Sequence, residues 1–453
     1  MLNGVPIPDH VVVVIEENHG YGDIIGSTEP PYINNTLVAS GASFTSSYAI
    51  THPSEPNYLA LFSGDTQGVT DDGTYTFATG NLGKSLIDNG LTFGGYSEDL
   101  PYTAYTGDTY GAYARKHAPW VSFSNLPSSV NMPFASFPTD YSTLPTLSIV
   151  VPNLNNDMHD GSIATADTWL QNNIDGYAQW ASTHNSLLIV TWDEDDSSTT
   201  DNQIPTIFVG PMVTAGTYAE TINHYSVLRT VEDMYRLDYI GNEAYVSTIT
   251  DVWVPAAPLG PTAVVPSSSQ VNLSWTANST NQTGFEVERA TDSAFTQNVT
   301  LLTITADTSY IDTDLTPSST YYYRVRATNA YGDSPNSDVT GVTTLPAGWL
   351  ATDVGGPGIS GSTTFDGTTW TVQGGGSGIW STPDQFQYAY ESVMGDTTIF
   401  ARVTTVQRTS TFAKAGVMFR DTAESDAPYV ALLQNPNNQV EIQWRDTAGA
   451  ASD

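Results

Sequence analysis

Four stretches in the first half of the chain concentrate carboxylates, amides, hydroxyls and imidazoles. They are Glu17-Asn18-His19, His52-Pro53-Ser54-Glu55-Pro56-Asn57-Tyr58, the run from Asn153 through Asp157, His159 and Asp160 to Gly161, and Asp193-Glu194-Asp195-Asp196. Asn223-His224 forms a smaller fifth group, and five of the seven histidines (His19, His52, His117, His159, His224) lie in or beside such motifs. Glu17, Asn18, Asp193 and Glu194 together make an oxygen-only donor set, which suits Mg²⁺, Ca²⁺ or Mn²⁺ better than Zn²⁺, while the nearby histidines keep zinc open. Asp193-Glu194 by itself reads equally well as a solvated turn, and Asp195, Asp196 and Asp201 read as solvated turn residues. Ser54 also has two readings. Ahead of Glu55-Pro56 and an apolar run it has the composition of a helix N-cap, and capping alone would explain it. A serine at a helix N-terminus also points at a position where backbone N–H groups favour an anion, which suits a nucleophile attacking phosphate when a metal lowers its pKa.

The elements that must position these residues are strands of an α/β sheet. Val11 to Ile15 is an unbroken β-branched run, the pattern of a central parallel strand covered on both faces. It empties into Glu16, Glu17, Asn18 and His19, at the carboxyl end where open α/β sheets place their sites. Glu16, one position before the cluster proper, reads as a strand-end residue behind the site. Leu147–Val151 and Ser186–Trp192 are further buried strands, the second running straight into Asp193-Glu194, and Ile204–Val209 is a fourth. Helices are expected at Tyr58–Ser63, Thr165–Trp180 and Tyr225–Tyr235, the last with Val227, Leu228, Val231 and Met234 at helical spacing.

The whole chain narrows the function. Its 453 residues carry 13 basic against 48 acidic side chains, a net charge of −35. That excludes nucleic acid as a general partner and favours a soluble monomer. It also means that an anionic substrate needs a local cation, which a bound metal would supply. There is no cysteine, so disulfides, thiolate metal sites and a cysteine nucleophile are ruled out. No stretch reaches transmembrane length, and no signal peptide precedes the first strand. The Thr-, Ser-, Gly- and Asn-rich second half nevertheless reads as exported, so a secreted or cell-surface protein lacking its leader is expected.

The fold class expected is multidomain: an α/β domain at 1–252 with a mostly parallel sheet sandwiched by helices, a Pro-rich linker at 253–261, then all-β sandwiches. Alternating strands such as Val271–Trp275 and Gly284–Arg289, with Leu315-Thr316-Pro317 leading to Tyr321–Ala327, resemble a fibronectin type III domain at 262–345. Trp275 matches that family's core tryptophan, and Tyr321 sits at its tyrosine corner. Residues 346–453 are again β-patterned, with a strand expected at Thr397–Val406. Ala413–Arg420 resembles a laminin-G or concanavalin-like module, here read as incomplete, through which polysaccharide binding is a candidate role.

The polar motifs also recur in a specific order. Glu17-Asn18-His19, Ser54–Tyr58 with Ser63-Gly64-Asp65, Tyr96–Pro101, Tyr113–His117, Pro152-Asn153 through His159-Asp160-Gly161, Thr191–Glu194, Ile204-Pro205-Thr206 and His224–Thr230 together resemble the phosphoesterase family. That family holds bacterial phospholipase C and acid phosphatases and is related to alkaline phosphatases and arylsulfatases. The resemblance implies that Glu17, Asn18, Asp193 and Glu194 hold a divalent metal and that Ser54 is the nucleophile. Asp195 stands where plant-type phospholipases have histidine, which leans towards the phosphatase branch. The combined reading is a metal-dependent phosphoric ester hydrolase, an acid phosphatase acting on a small phosphate ester. Ser54, itself a metal ligand, would form a phosphoseryl intermediate. His159 or His224 would protonate the leaving group, and Asn18, Asn57, His117 and Asp160 would contact substrate. The alternatives are a phospholipase C-type phosphodiesterase acting on a phospholipid head group and, ranked below it, a surface adhesive protein with an inactive first domain. Neither an amphipathic membrane helix nor a basic patch supports the lipase.

Overall fold

The β-branched run forms β1 (His10–Glu16), buried from Val11 onward, and it lies near the middle of an eight-stranded sheet. A computed structural model describes residues 4–197, 200–242 and 245–453. The other strands of this sheet are β2 (Ala42–Tyr48), β3 (Phe93–Ser97), β6 (Asn131–Pro133), β7 (Leu147–Val151), β8 (Ser186–Trp192), β9 (Thr206–Val209) and β10 (Gly216–Asn223), in the order β10-β2-β9-β8-β1-β7-β3-β6. A separate two-stranded hairpin joins β4 (Thr109–Tyr110) and β5 (Tyr113–Ala114). β1 pairs in parallel with β7 and β8, β3 with β6 and β7, and β10 with β2, while β9 runs antiparallel to both β2 and β8. Seven strands therefore point the same way, and their carboxyl ends share one edge. β9 starts at Thr206 rather than Ile204 because Pro205 has no N–H to give a ladder.

Period-two alternation splits the strands between two cores. Val11, Val13 and Ile15 face a core roofed by helices α2 (Ser54–Ser63), α3 (Leu82–Asp88) and α6 (His224–Tyr235). Val12 and Val14 face one covered by α4 (Ile163–Asn173), α5 (Asp175–Ala181) and a π-helical turn at Ile33–Val38, with the short α1 (Tyr21–Ile24) contributing Ile24. The single helix expected over Thr165–Trp180 is two, interrupted at Ile174, where Asn173, Asp175 and Gly176 all have low helix propensity. α6 is capped by Asn223, whose Oδ1 accepts the Ser226 N–H at 3.1 Å while Ser226 Oγ accepts the Asn223 N–H at 3.2 Å.

The chain divides into two compact units, Met1–Ala257 with Asn278–Thr283 and Ala327–Pro335, and the remainder from Pro258. The second is all-β. Its first strand, β11 (Leu259–Ser267), begins inside the stretch expected to be linker and pairs antiparallel with β12 (Gln270–Thr276). Gly284–Ala290 pairs antiparallel with Thr300–Thr305. Trp275 packs edge-on against Phe285 at 5.6 Å, and the Tyr321 hydroxyl accepts the Thr316 N–H at 3.1 Å, the tyrosine-corner bond. Farther on, Ala415–Arg420, Tyr429–Gln434 and Val440–Arg445 make a three-stranded antiparallel sheet. Thr397–Val406 forms no strand: it finds no sheet edge to pair with, and Phe400 is left 90% exposed. Among the described residues, no helix is long and apolar enough to cross a membrane.

Candidate active site

The site starts where β1 and β8 end side by side. Glu16 pairs with Trp192 across the two strands, and the Asp193 N–H donates to the Glu16 carbonyl at 3.0 Å. The next residue of each strand therefore falls on common ground, and Glu17 and Asp193 are both buried. Asn18 turns the chain in a left-handed conformation, φ 52°, which asparagine tolerates better than most residues. That turn aims its N–H at Asp193 Oδ1, 3.2 Å away, and the Glu194 N–H reaches the same oxygen at 2.7 Å. Asp193 Oδ2 has no hydrogen-bond partner among the described residues.

Ser54 arrives from β2 on the first turn of α2. It is the first helical residue, Pro53 takes the N-cap position, and Ser54 caps no amide. The cap comes instead from outside the helix, where Asp72 Oδ1 accepts the Glu55 N–H at 3.1 Å. The Ser54 hydroxyl is thus left to the carboxylates, 3.2 Å from Glu17 Oε2 and 3.3 Å from Glu194 Oε1. One helical turn on, the Tyr58 hydroxyl donates to Glu17 Oε1. His52 lies with Nδ1 2.8 Å from Glu194 Oε2 and Nε2 3.3 Å from Asp195 Oδ1. Asp195 is buried, not the solvated turn residue expected.

The third wall is built from Arg115–His117 and the loop after β7. His117 Nε2 lies 3.1 Å from Glu17 Oε1 and Nδ1 lies 3.5 Å from Asp157 Oδ2, both without the alignment of a hydrogen bond. Asp157 is buried and accepts the His159 N–H at 2.8 Å. His159 Nδ1 meets Asp160 Oδ1 at 2.9 Å, and its Nε2 lies 3.4 Å from Lys116 Nζ.

Burial raises the pKa of Asp193 to about 7, with the charge of Glu194 adding to it. Burial likewise lifts Glu194 to about 7 and Glu17 well above the carboxylate range, with Asp193 and Asp157 adding. His117 is driven the other way by burial and by Lys116, and stays neutral. Crowded, desolvated carboxylates with an orphaned Asp193 oxygen form a donor set that fits a divalent cation, since such a charge would offset their repulsion. Glu17, His117 and His159 also offer donor atoms within 4.8 Å of one another, so nitrogen donors join the oxygen set through Glu17.

Residues 31–238 match the model of the phosphoesterase family. The phosphatidylinositol-3-phosphatase of Mycobacterium tuberculosis is 51% identical over 255 residues, spanning 55% of this chain and 85% of that protein. The chain belongs to the phosphoesterase family. The phosphate-repressible acid phosphatase of Penicillium chrysogenum is 30% identical over 45% of this chain and 54% of its own length. An acid phosphatase of Aspergillus fumigatus is 31% identical over 45% of this chain and 51% of its own length. This phosphoesterase is accordingly a phosphoric ester hydrolase, and residues 256–343 match the fibronectin type III domain.

Of the residues expected in the phosphoesterase site, Glu17, Ser54, Asp193 and Glu194 converge, and Asn18 joins them through its backbone. His117 and His159 stand beside them. His224 lies at the site's back wall: it is buried, its Nε2 donates to the Asp193 carbonyl at 2.7 Å, and burial lowers its pKa to about 4. Asn57, expected to contact substrate, is hydrogen-bonded within its own loop and to Glu194. Its Oδ1 accepts the Ile50 and Thr51 N–H groups, and its Nδ2 donates to the Thr51 and Pro53 carbonyls and to Glu194. Asp160 is exposed and meets His159. Tyr58, Lys116 and Asp157 lie inside the polar motifs but carry no assigned role there, and Asp72 lies outside them. Tyr58 sits one helical turn after Ser54, which was the signal available for it.

Proposed function

We propose that the chain is a metal-dependent phosphomonoesterase of the acid phosphatase type, working through a phosphoseryl intermediate on Ser54. The observation that carries this reading is the Ser54 hydroxyl on the first turn of α2, within 3.3 Å of both Glu17 and Glu194. Glu17, Asn18, Asp193 and Glu194, with Ser54, would hold the cation, Mg²⁺, Ca²⁺ or Mn²⁺ by their oxygen chemistry, with zinc the alternative if His117 and His159 contribute. Such a cation would lower the pKa of the serine and offset charge on the phosphoryl oxygens.

Ser54 gives up its proton along its bonds to the neighbouring carboxylates and attacks phosphorus in line. As the Ser54 Oγ–P bond forms, the bond from phosphorus to the leaving oxygen breaks. His159, at the open side of the site, donates a proton to that oxygen, then takes one from the water that hydrolyses the phosphoserine, and Ser54 recovers its own proton. His224, held neutral against the Asp193 carbonyl, instead fixes the Asp193-Glu194 backbone. The phosphatase names of the relatives favour a monoester over the diester cleavage of a phospholipase C, and the mycobacterial name makes an inositol lipid phosphate a candidate beside small esters. The Thr- and Ser-rich second half and the fibronectin type III domain support an exported enzyme. The test is hydrolysis of p-nitrophenyl phosphate, phosphatidylinositol 3-phosphate and phosphatidylcholine by the protein and by Ser54→Ala. The variant should stay folded and lose turnover of every substrate, whereas near-native turnover would sink the nucleophile.

A further inference from the structure

Within the Arg115–His117 turn, Arg115 and His117 are buried and Lys116 is partly exposed. The charge of Arg115 serves the scaffold, because its guanidinium donates to the Tyr75 and Val121 carbonyls at 3.2 and 3.5 Å and lies 3.7 Å from Asp108. Lys116 is placed differently. Its Nζ donates to Asp72 Oδ2 at 2.8 Å and lies 3.4 Å from His159 Nε2. The other oxygen of Asp72 holds the Glu55 N–H, the amide next to Ser54. The ammonium is therefore one carboxylate away from the nucleophile's helix turn and in contact with the imidazole at the open side of the site. Burial pulls its pKa down, but Asp72, then Glu17 and Asp193, outweigh burial and keep it charged.

We propose that Lys116 reads the second negative charge of the substrate's phosphoryl group, so that this site selects phosphomonoester dianions over phosphodiesters. The inference rests on the phosphomonoesterase reading above and names the device that sets its substrate class. A monoester carries close to two charges at neutral pH, because its second pKa is about 6. A diester carries one charge and presents an ester oxygen where the monoester presents an anionic one. In an acidic protein, an ammonium beside the reacting group rewards that extra charge with a charge-assisted hydrogen bond. Asp72 holds the ammonium in place until the dianion competes for it. If Lys116 served only as Asp72's partner, its loss would affect both ester classes alike, through the setting of His117 and His159.

The experiment compares kcat/KM for p-nitrophenyl phosphate and bis-p-nitrophenyl phosphate in the metal-loaded protein, Lys116→Met and Lys116→Arg. Lys116→Met should lower the monoester-to-diester ratio by about 10- to 100-fold, the range for a hydrogen bond to a charged group, and Lys116→Arg should restore most of it. The Kd of inorganic phosphate, measured by calorimetry on the metal-loaded protein, should rise in Lys116→Met by a similar factor, a readout that needs no turnover. An unchanged ratio, or an unchanged phosphate Kd, overturns the role of Lys116 while leaving the phosphatase reading standing. A wild-type protein that hydrolyses neither ester overturns both.

Discussion

Tyr58 and His117 stack with ring centroids 5.1 Å apart and planes 12° from parallel, and both rings reach the same atom, Glu17 Oε1. The phenol's hydrogen bond fixes this buried carboxylate, the imidazole packs beside it, and the second oxygen is left to Ser54. Groups that orient a ligand in this way typically govern affinity by 10- to 100-fold. Tyr58→Phe keeps the stack and deletes the hydroxyl. It should weaken divalent-metal affinity by about 10-fold or more, read by metal titration of activity, with little change in far-UV circular dichroism.

The crowded carboxylates predict how stability changes with pH in the metal-stripped protein. Asp193 rises from 3.8 to about 7, chiefly through burial and then through Glu194, and Glu194 rises from 4.5 to about 7 through burial. Between about pH 4 and 7 the folded state therefore holds protons that the unfolded chain has already released, and stability falls as pH rises through that window. The melting temperature of stripped protein should drop from pH 4.5 to pH 7, and Mg²⁺ or Ca²⁺ should raise it more at pH 7 than at pH 4.5. Asp193→Asn should flatten the slope. A melting temperature that climbs with pH in the stripped protein would count against the cluster.

The framework of this site was legible because β1, β7 and β8 are buried on both faces, so their sequences are uninterrupted apolar runs that stop where the chemistry starts. Alternation along β1 also separates two adjacent acids. Glu17 meets Ser54 and Tyr58, whereas Glu16 is fully buried, its pKa raised by burial and by the charges of Asp157 and Glu98, with neither oxygen hydrogen-bonded among the described residues. The roles inside each cluster were harder to assign. Whether an amide faces substrate or its own loop depends on where the loop returns, and Asn57 bonds both residues 50–53 and Glu194. Lys116 is a single lysine whose meaning comes from Asp72, which is distant in sequence. Fibronectin-like strands were readable from alternation, but Thr397–Val406 alternates without finding an edge, and pattern alone does not supply a partner.

Asn57 offers a direct test of that distinction. Its amide satisfies two N–H groups and two carbonyls of the loop that leads into Ser54, so Asn57→Ala leaves buried polar groups without partners. The variant should lose about 2–3 kcal/mol of stability by denaturant unfolding, with kcat falling and KM for p-nitrophenyl phosphate little changed. An unaltered unfolding curve with a raised KM would return Asn57 to the substrate-contact role first expected of it.

The two histidines expected as proton donors separate by leaving group. p-Nitrophenolate is stable enough to depart unprotonated, whereas an alkoxide needs a proton as the bond to phosphorus breaks. His159 stands at the open side of the site with Nε2 towards Lys116; His224 is buried and committed to the Asp193 carbonyl. His159→Asn should therefore cut kcat/KM for an alkyl phosphate by about 100-fold or more and for p-nitrophenyl phosphate much less. His224→Gln should lower both in equal proportion, because it disturbs the backbone that carries Asp193 and Glu194. If His224→Gln instead showed the leaving-group dependence and His159→Asn did not, the proton would have to reach the leaving oxygen from the back of the site, and the assignment would be reversed.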